Sequence, residues 1–290
     1  MADTANVILT LPSRPENVLV VRQALTGLAE GLGLDPVDTN DLNTAVTEAC
    51  NNVVLHAYPG PQPAGEEPGQ DEPLEVEVTV LAQEIAVVVR DRGTGMRPSE
   101  RLEEEEQHGM GLAVIAALTR EVEFADVAGG GTEVRMRFAR AKPGRPLEVE
   151  TDAAGAANGA DAALAQLPGS VQLQLAPGAL ARAVLPRTLC ALAARAYFTV
   201  DRISDVQLIA AAIAENAPSS VDGTHLGVGV NVEPRALALR IGPLHSGRGE
   251  SVLSAAVDGL APVVKRLTDL KRITPLGDGE SLELALVDRR

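Results

Sequence analysis

Two neighbouring runs, "LEVEVTVLA" and "EIAVVVRD", separated only by Gln83, read as alternating strands. A period of two puts every second side chain on the same face of a sheet, so this pair predicts a hairpin with one apolar face that must be covered. The segments around it supply the cover. Helical patterns run from about Pro15 to Gly33, from near Asp38 to about His56, and onward from near Gly109. Pro15 suits a first-turn position, and Asp38 is the expected cap of the second helix with Asp41 three residues on. Three further runs, "NVILTLP", "EVEFADV" and "TEVRMRFA", read as strands. Strands paired mostly in hairpins, with three helices able to cover only one face, make an α+β fold, a two-layer α/β sandwich.

A chain of 290 residues predicts about two such domains. Aromatics make up 2% of the residues and Trp is absent, so the cores must be built from Val, Leu, Ile and Ala. Cys50 and Cys190 lie in helical patterns in different halves, which argues against a disulfide framework and for a reducing cytoplasm. No stretch reaches the apolar length of a membrane span, and the N-terminus lacks an export pattern, so no membrane association is expected. Residues 1–140 hold 24 acids and 10 bases, net −14, and no lysine; residues 141–169 add −2, and residues 170–290 hold 12 acids and 13 bases, net +1. An acidic first half repels phosphate backbones, so direct nucleic-acid binding is not expected. A polyphosphate bound there would need a metal and backbone N–H groups.

Residues 141–169, rich in Ala, Gly, Pro and acids without a sustained period, read as a flexible linker between a domain at 1–140 and another at 170–290. The second half repeats the order of the first: strand "SVQLQLAP", helices from about Ala179 to Tyr197 and Ile203 to Ala217, strands "THLGVGVNVE" and "ALALRIG", a helix near 250–269 and a final strand "SLELALVD". "SDVQLIAAAIAENA" lies over "NDLNTAVTEACNNV", with Asp205 on Asp41 and Asn216 on Asn52. This weak repeat suggests a duplicated domain.

Four pieces of the first half carry chemistry. In "VTEACNNVVLHAYPG", Glu48, Asn52 and His56 are four residues apart and share a helix face beside the apolar Val46, Ala49, Val53 and Val54. A polar face of an ordinary amphipathic helix would look the same. "VVVRDRGTGM" ends a buried strand in Asp91 followed by Gly93 and Gly95, where a carboxylate can accept from an exocyclic amine and glycines let the backbone approach a flat ring; a hairpin turn is the plainer alternative. "HGMGLAVIAAL" opens a helix on Gly109 and Gly111, whose bare N–H groups suit an anion. "GGGTEVRMRF" sets Thr132 at a strand start, its hydroxyl in reach of a ligand or of a turn.

In this order the pieces resemble the GHKL ATPase superfamily, and "TEACNNVVLHAY", "RDRGTGM" and "GMGLAVI" are most similar to the anti-sigma-factor serine kinases over roughly residues 5–140. The resemblance implies a Bergerat-type ATPase fold, present twice, and ATP and Mg²⁺ as cofactors. It further implies that Asn52 holds Mg²⁺, that Glu48 is the general base on a substrate serine, and that Asp91 binds the adenine amino group. Gly93, Gly95 and Thr132 would border the base, and His108, Gly109, Met110 and Gly111 would meet the phosphates. His56 is expected to be a core histidine, Cys50 a small hydrophobe, and Arg22 either an interface residue or a solvated one. The implied partners are a sigma factor and an anti-anti-sigma protein, in the cytoplasm.

Two features stand apart from that pattern: Glu103 to Glu106 in the segment that would be the ATP lid, and the insert at residues 59–73. In the second half, Ala212 matches Glu48, Ile241 is matched to Asp91, and Ala261 and Pro262 replace the second glycine box. It therefore reads as a copy without a nucleotide site, expected to stand in for a partner subunit in an intramolecular pseudo-dimer that can be monomeric, with Arg187 near the helix position of Arg22. His225 and His245 lack metal-ligand spacing and are expected at the surface. The competing reading is a nucleotide-gated protein-binding module without kinase activity.

Overall fold

Valines and leucines at every second position of the first half fall on one side of an antiparallel sheet of five strands: β1 (Val7–Pro12), β2 (Pro73–Val80), β3 (Glu84–Arg90), β4 (Glu121–Asp126) and β5 (Thr132–Ala139). The computed structural model describes residues 5–58, 72–93, 111–127, 130–140, 167, 169–255 and 262–289. The chain divides into two compact units, Met1–Ala29 with Gly33–Leu147 and Glu30–Leu32 with Glu148–Arg290.

In the first unit the strand order is β4-β5-β3-β2-β1. Val7, Leu9 and Leu11 pair with Val78, Val76 and Leu74, and Val76 and Val78 pair in turn with Val89 and Val87. All of these are buried, with Ile85, Val134, Met136 and Phe138 continuing the same face. The opposite face is a lattice of opposite charges. Arg90 meets Glu75 at 3.0 Å, Glu77 at 2.5 Å and Glu133, and Arg135 meets Glu123 at 3.1 Å and Glu133. Burial opposes ionisation of Glu133, but the Arg90 guanidinium outweighs it and holds the carboxyl below its usual range. Cross-strand pairs of this kind contribute roughly 0.2–1 kcal/mol each, so this face is chiefly a solvated one.

Helices α1 (Pro15–Leu32), α2 (Pro36–Asn52) and α3 (residues 111–118) belong to this unit. Helix α2 packs on β3 and β5, burying Leu42, Ala45, Val46, Ala49 and Cys50 at helical spacing. Its cap is Asp35 and not Asp38: the Asp35 carboxylate accepts from the Val37 and Asp38 N–H groups, both at 2.9 Å. Pro36 explains the earlier start, because its ring presets the first helical φ and it has no N–H to satisfy. The α-helix ends at Asn52, and Val53–Ala57 continue as a single π turn. Cys50 is fully buried, and burial pushes its thiol up to about 12, as befits a small hydrophobe.

The second unit contains β6 (Val171–Leu175), helices α4 (Ala179–Arg195) and α5 (Val200–Ser220), β7 (Leu226–Glu233), β8 (Ala236–Leu244), short helices α6 (Arg248–Leu253) and α7 (Val263–Leu267), β9 (Leu270–Leu276) and β10 (Gly279–Val287). Its strand order is β6-β7-β8-β10-β9, all antiparallel, the same as the first unit's read from β1. Within the expected linker Leu167 is buried, and just beyond it Ser170 N–H donates to Asn231 Oδ1 at 3.0 Å. The single helix expected near 250–269 is two short ones, and "LKRITPL" is an edge strand that its Lys271, Arg272 and Pro275 disguise as loop. His225 is buried, against expectation, its Nδ1 paired with Thr224 Oγ1 at 2.9 Å, while His245 is at the surface 3.5 Å from Asp222. Among the described residues no helix is long and apolar enough to cross a membrane.

Candidate functional site

Glu48 and Asn52 lie one turn apart at the partly exposed edge of α2, next to the buried Ala49 and Cys50. Both face Gly111, the first described residue of α3. A Cβ on Gly111 would lie 3.5 Å from Glu48 Oε2, 3.6 Å from Asn52 Oδ1 and 3.9 Å from Asn52 Nδ2. A carboxylate, an amide oxygen and a helical residue without a side chain thus share one small space. The sequence expects this helix to open near Gly109, and N–H groups of a first turn, with the positive end of the dipole, favour anionic oxygens. An oxygen-donor set of one amide and one nearby carboxylate, beside room for phosphates, fits Mg²⁺, which takes few protein ligands when a nucleotide supplies the rest. Among the described residues no group of three or more His, Cys, Asp or Glu side chains is placed to hold a metal by itself.

His56 departs from the row. It falls in the π turn, where each residue turns through a smaller angle than in an α-helix, and its side chain is exposed instead of lying in the core. Leu55 is exposed with it, while Val53 and Ala57 are buried. Ala57 then makes the close contact that defines the next part of the site. A Cβ on Gly93 would stand 1.9 Å from the Ala57 carbonyl oxygen, so only glycine lets the chain after β3 cross the π turn.

The segment Asp91–Gly93 is held from several sides. Asp91 N–H donates to the Thr132 carbonyl at 3.0 Å, Arg92 N–H donates to Tyr58 Oη at 3.0 Å, and Gly93 N–H donates to Asp91 Oδ1 at 2.8 Å. The Thr132 hydroxyl also bonds the Asp91 carboxylate. Gly131, at φ 101°, passes so near that a Cβ there would fall 2.2 Å from the Asp91 carbonyl oxygen. Asp91 is 4% exposed, and burial raises its carboxyl above the ordinary range, with the hydrogen bonds from Gly93 and Thr132 opposing the shift. A carboxylate at a strand end with spare acceptor capacity can take the hydrogen bond of an amino donor.

Glu48, Asn52 and Gly111 therefore form one cluster and Asp91, Gly93 and Thr132 another, with the π turn between them. Gly95, His108, Gly109 and Met110 lie outside the described residues, as do Glu103 to Glu106 and most of the 59–73 insert. Arg22 is exposed. Tyr58, which no motif in the sequence singled out, bridges the second cluster: it accepts from Arg92 N–H and donates to the Pro73 carbonyl at 3.1 Å.

The corresponding region of the second unit differs chemically. Leu9 pairs with Val76 and Val76 with Val89; Leu173 pairs with Val228 and Val228 with Ile241. Arg240 pairs with Glu283 across β8 and β10 as Arg90 pairs with Glu133 across β3 and β5, and the residue after the arginine, Asp91 in the first unit, is the buried Ile241 in the second. Ala212 is buried, and Asn216 turns its amide back to donate to the Ala212 carbonyl at 2.8 Å.

Residues 11–138 match the family model described as a histidine kinase-like ATPase domain. The serine-protein kinase RsbW of Bacillus pumilus is 30% identical over 149 residues, covering 47% of this chain and 87% of the relative. The serine-protein kinase RsbW of Listeria monocytogenes is 33% identical over 130 residues, covering 41% of this chain and 78% of the relative. The solved RsbU and RsbW domains of Rv1364c from Mycobacterium tuberculosis share 21% identity over 48% of this chain and 32% of their own, with a TM-score of 0.35, a likeness too slight to carry an argument.

Proposed function

This chain belongs to the histidine kinase-like ATPase family, among relatives of the RsbW serine-protein kinases, and from that premise we propose how its own residues do the work. The first unit binds ATP and passes its terminal phosphoryl group to a serine of a small antagonist protein, while a sigma factor is the target that the protein sequesters. The second unit is a degenerate copy that binds no nucleotide. What carries this reading is the convergence of Glu48 and Asn52 oxygens on Gly111, which has no side chain to fill the space.

Asp91 accepts the adenine amino group, with Gly93 and Thr132 shaping the wall beside the base. The N–H groups at the start of α3 bind phosphate oxygens, and Asn52 Oδ1 is the protein's ligand to Mg²⁺. That ion supplies charge neutralisation on the phosphates. Phosphoryl transfer depends mainly on positioning and electrostatics, so the remaining need is a group to take the serine proton. Glu48 lies one helical turn from Asn52 and within reach of the same space, which makes it the general base.

Two measurements on one variant test this. Glu48→Ala is expected to leave the Mg·ATP dissociation constant nearly unchanged in calorimetry while slowing phosphate transfer to the antagonist protein roughly 10²- to 10⁴-fold. Equal loss of binding and transfer would make Glu48 structural. Tight ATP binding by the wild type with no transfer to any protein would favour the nucleotide-gated binding module.

A further inference from the structure

Three consecutive peptide N–H groups after β3 go to three different partners. The Thr132 carbonyl takes that of Asp91 and the Asp91 carboxylate that of Gly93. Both partners belong to β5 or to the segment itself. The Arg92 N–H alone is held from outside, by the Tyr58 hydroxyl at 3.0 Å. That hydroxyl has no rotational freedom left, because its own proton goes to the Pro73 carbonyl at the start of β2, 3.1 Å away. Tyr58 directly follows the π turn whose Ala57 presses against Gly93. The phenol therefore pins the peptide between the acceptor carboxylate and the glycine to two other parts of the unit, α2 and β2. Burial pushes the phenol up from its ordinary value, so it remains a donor throughout the neutral range.

We propose that Tyr58 is a positioning residue for nucleobase selection: its hydroxyl fixes the Arg92 peptide and, through it, the orientation in which the Asp91 carboxylate receives an exocyclic amino group. The inference rests on the assignment of Asp91 to adenine. Without the hydroxyl, the Arg92 peptide is free to rotate and Asp91 follows it, because Asp91 Oδ1 is bonded to the next N–H along. Phosphate contacts at Gly111 and Asn52 lie in the other cluster and are left as they were.

Tyr58→Phe keeps the ring and its packing and removes only the two hydrogen bonds. Inosine triphosphate carries a carbonyl where ATP carries the amino group, and N1–H where ATP has an N1 acceptor, so the ratio of the two affinities reads the base edge that faces Asp91. Calorimetry on the full chain is expected to show ATP binding weakened about 3- to 10-fold in Tyr58→Phe, the range of one net hydrogen bond at about 1.4 kcal/mol per decade. Inosine triphosphate affinity should stay level, so the preference for ATP falls by the same factor. In an Asp91→Asn background, Tyr58→Phe should change the ratio no further, since contacts that act as a unit are non-additive. In the wild type, the Arg92 amide should exchange slowly with solvent even without nucleotide. Equal weakening towards both nucleotides, an unchanged ratio, or a rapidly exchanging Arg92 amide in the wild type would each overturn the role of Tyr58 while leaving ATP binding intact. A wild type that binds both nucleotides alike would overturn the adenine assignment of Asp91 and this inference with it.

Discussion

Gly111→Ala separates the room needed for folding from the room needed for a ligand. The added methyl would sit 3.5 Å from Glu48 Oε2 and 3.6 Å from Asn52 Oδ1, ordinary contact distances that require nothing to move in the free protein. At a helical position with compatible backbone, alanine in place of glycine stabilises by about 0.4–1 kcal/mol through the unfolded chain. For a unit of this size that is a melting temperature raised by roughly 1–4 °C. The same methyl occupies the space between the helix start and the two side-chain oxygens, where phosphate and its cation are proposed to lie. Forcing an extra methylene-sized group into a filled site costs about 1–3 kcal/mol, which is roughly a 5- to 150-fold rise in the Mg·ATP dissociation constant. Differential scanning fluorimetry without nucleotide and calorimetry with it measure the two halves of the prediction. A variant that is more stable and still binds ATP like the wild type would refute the placement of phosphate at Gly111. A variant that is destabilised would refute the claim that the methyl is accommodated.

Asp91→Asn should oppose stability to function. Burial raises the Asp91 carboxyl, so the free fold is relatively more stable below the ordinary carboxylate range, and this advantage is lost as pH rises through the raised value. Removing the charge should therefore leave the nucleotide-free melting temperature at neutral pH equal to or above that of the wild type, with the difference shrinking on acidification, while ATP binding falls strongly. Gly93→Ala should be among the most damaging single changes in the first unit, about 2 kcal/mol or more, because its Cβ would fall 1.9 Å from the Ala57 carbonyl and two backbone segments must separate; chemical denaturation reads it. One ATP per chain is expected in calorimetry, since the buried, apolar Ala212 and Ile241 are matched in the second unit to Glu48 and Asp91, and a stoichiometry near two would refute that unit's proposed loss of nucleotide.

Period-two and helical patterns carry far in this chain, because burial acts residue by residue. Val7, Leu9 and Leu11, Val76 and Val78, and Val87 and Val89 all face inward as their alternation predicts, and Leu42, Ala45, Val46 and Ala49 follow helical spacing. Glu48 and Asn52 were legible for the same reason. The π turn was not, because nothing in "VVLHA" marks it; it coincides with the crossing of Ala57 and Gly93, two segments far apart in sequence. One consequence is the exposed His56 in place of a core one. Strand β9 was missed since its edge position selects Lys271, Arg272 and Pro275 over an apolar alternation.

The paired phenol of Tyr58 also gives the protein an optical handle. With no Trp and only two Tyr, the chain is nearly dark in the near ultraviolet, and its intrinsic emission comes from Tyr58 and Tyr197. Tyr197 is 76% exposed in the second unit, so Tyr197→Phe would leave a single emitter, lodged between Arg92 N–H and the Pro73 carbonyl. Quenching, lifetime and anisotropy of that one ring would then follow the first unit's nucleotide loop with no dye attached, and the second unit would be silent in the same experiment.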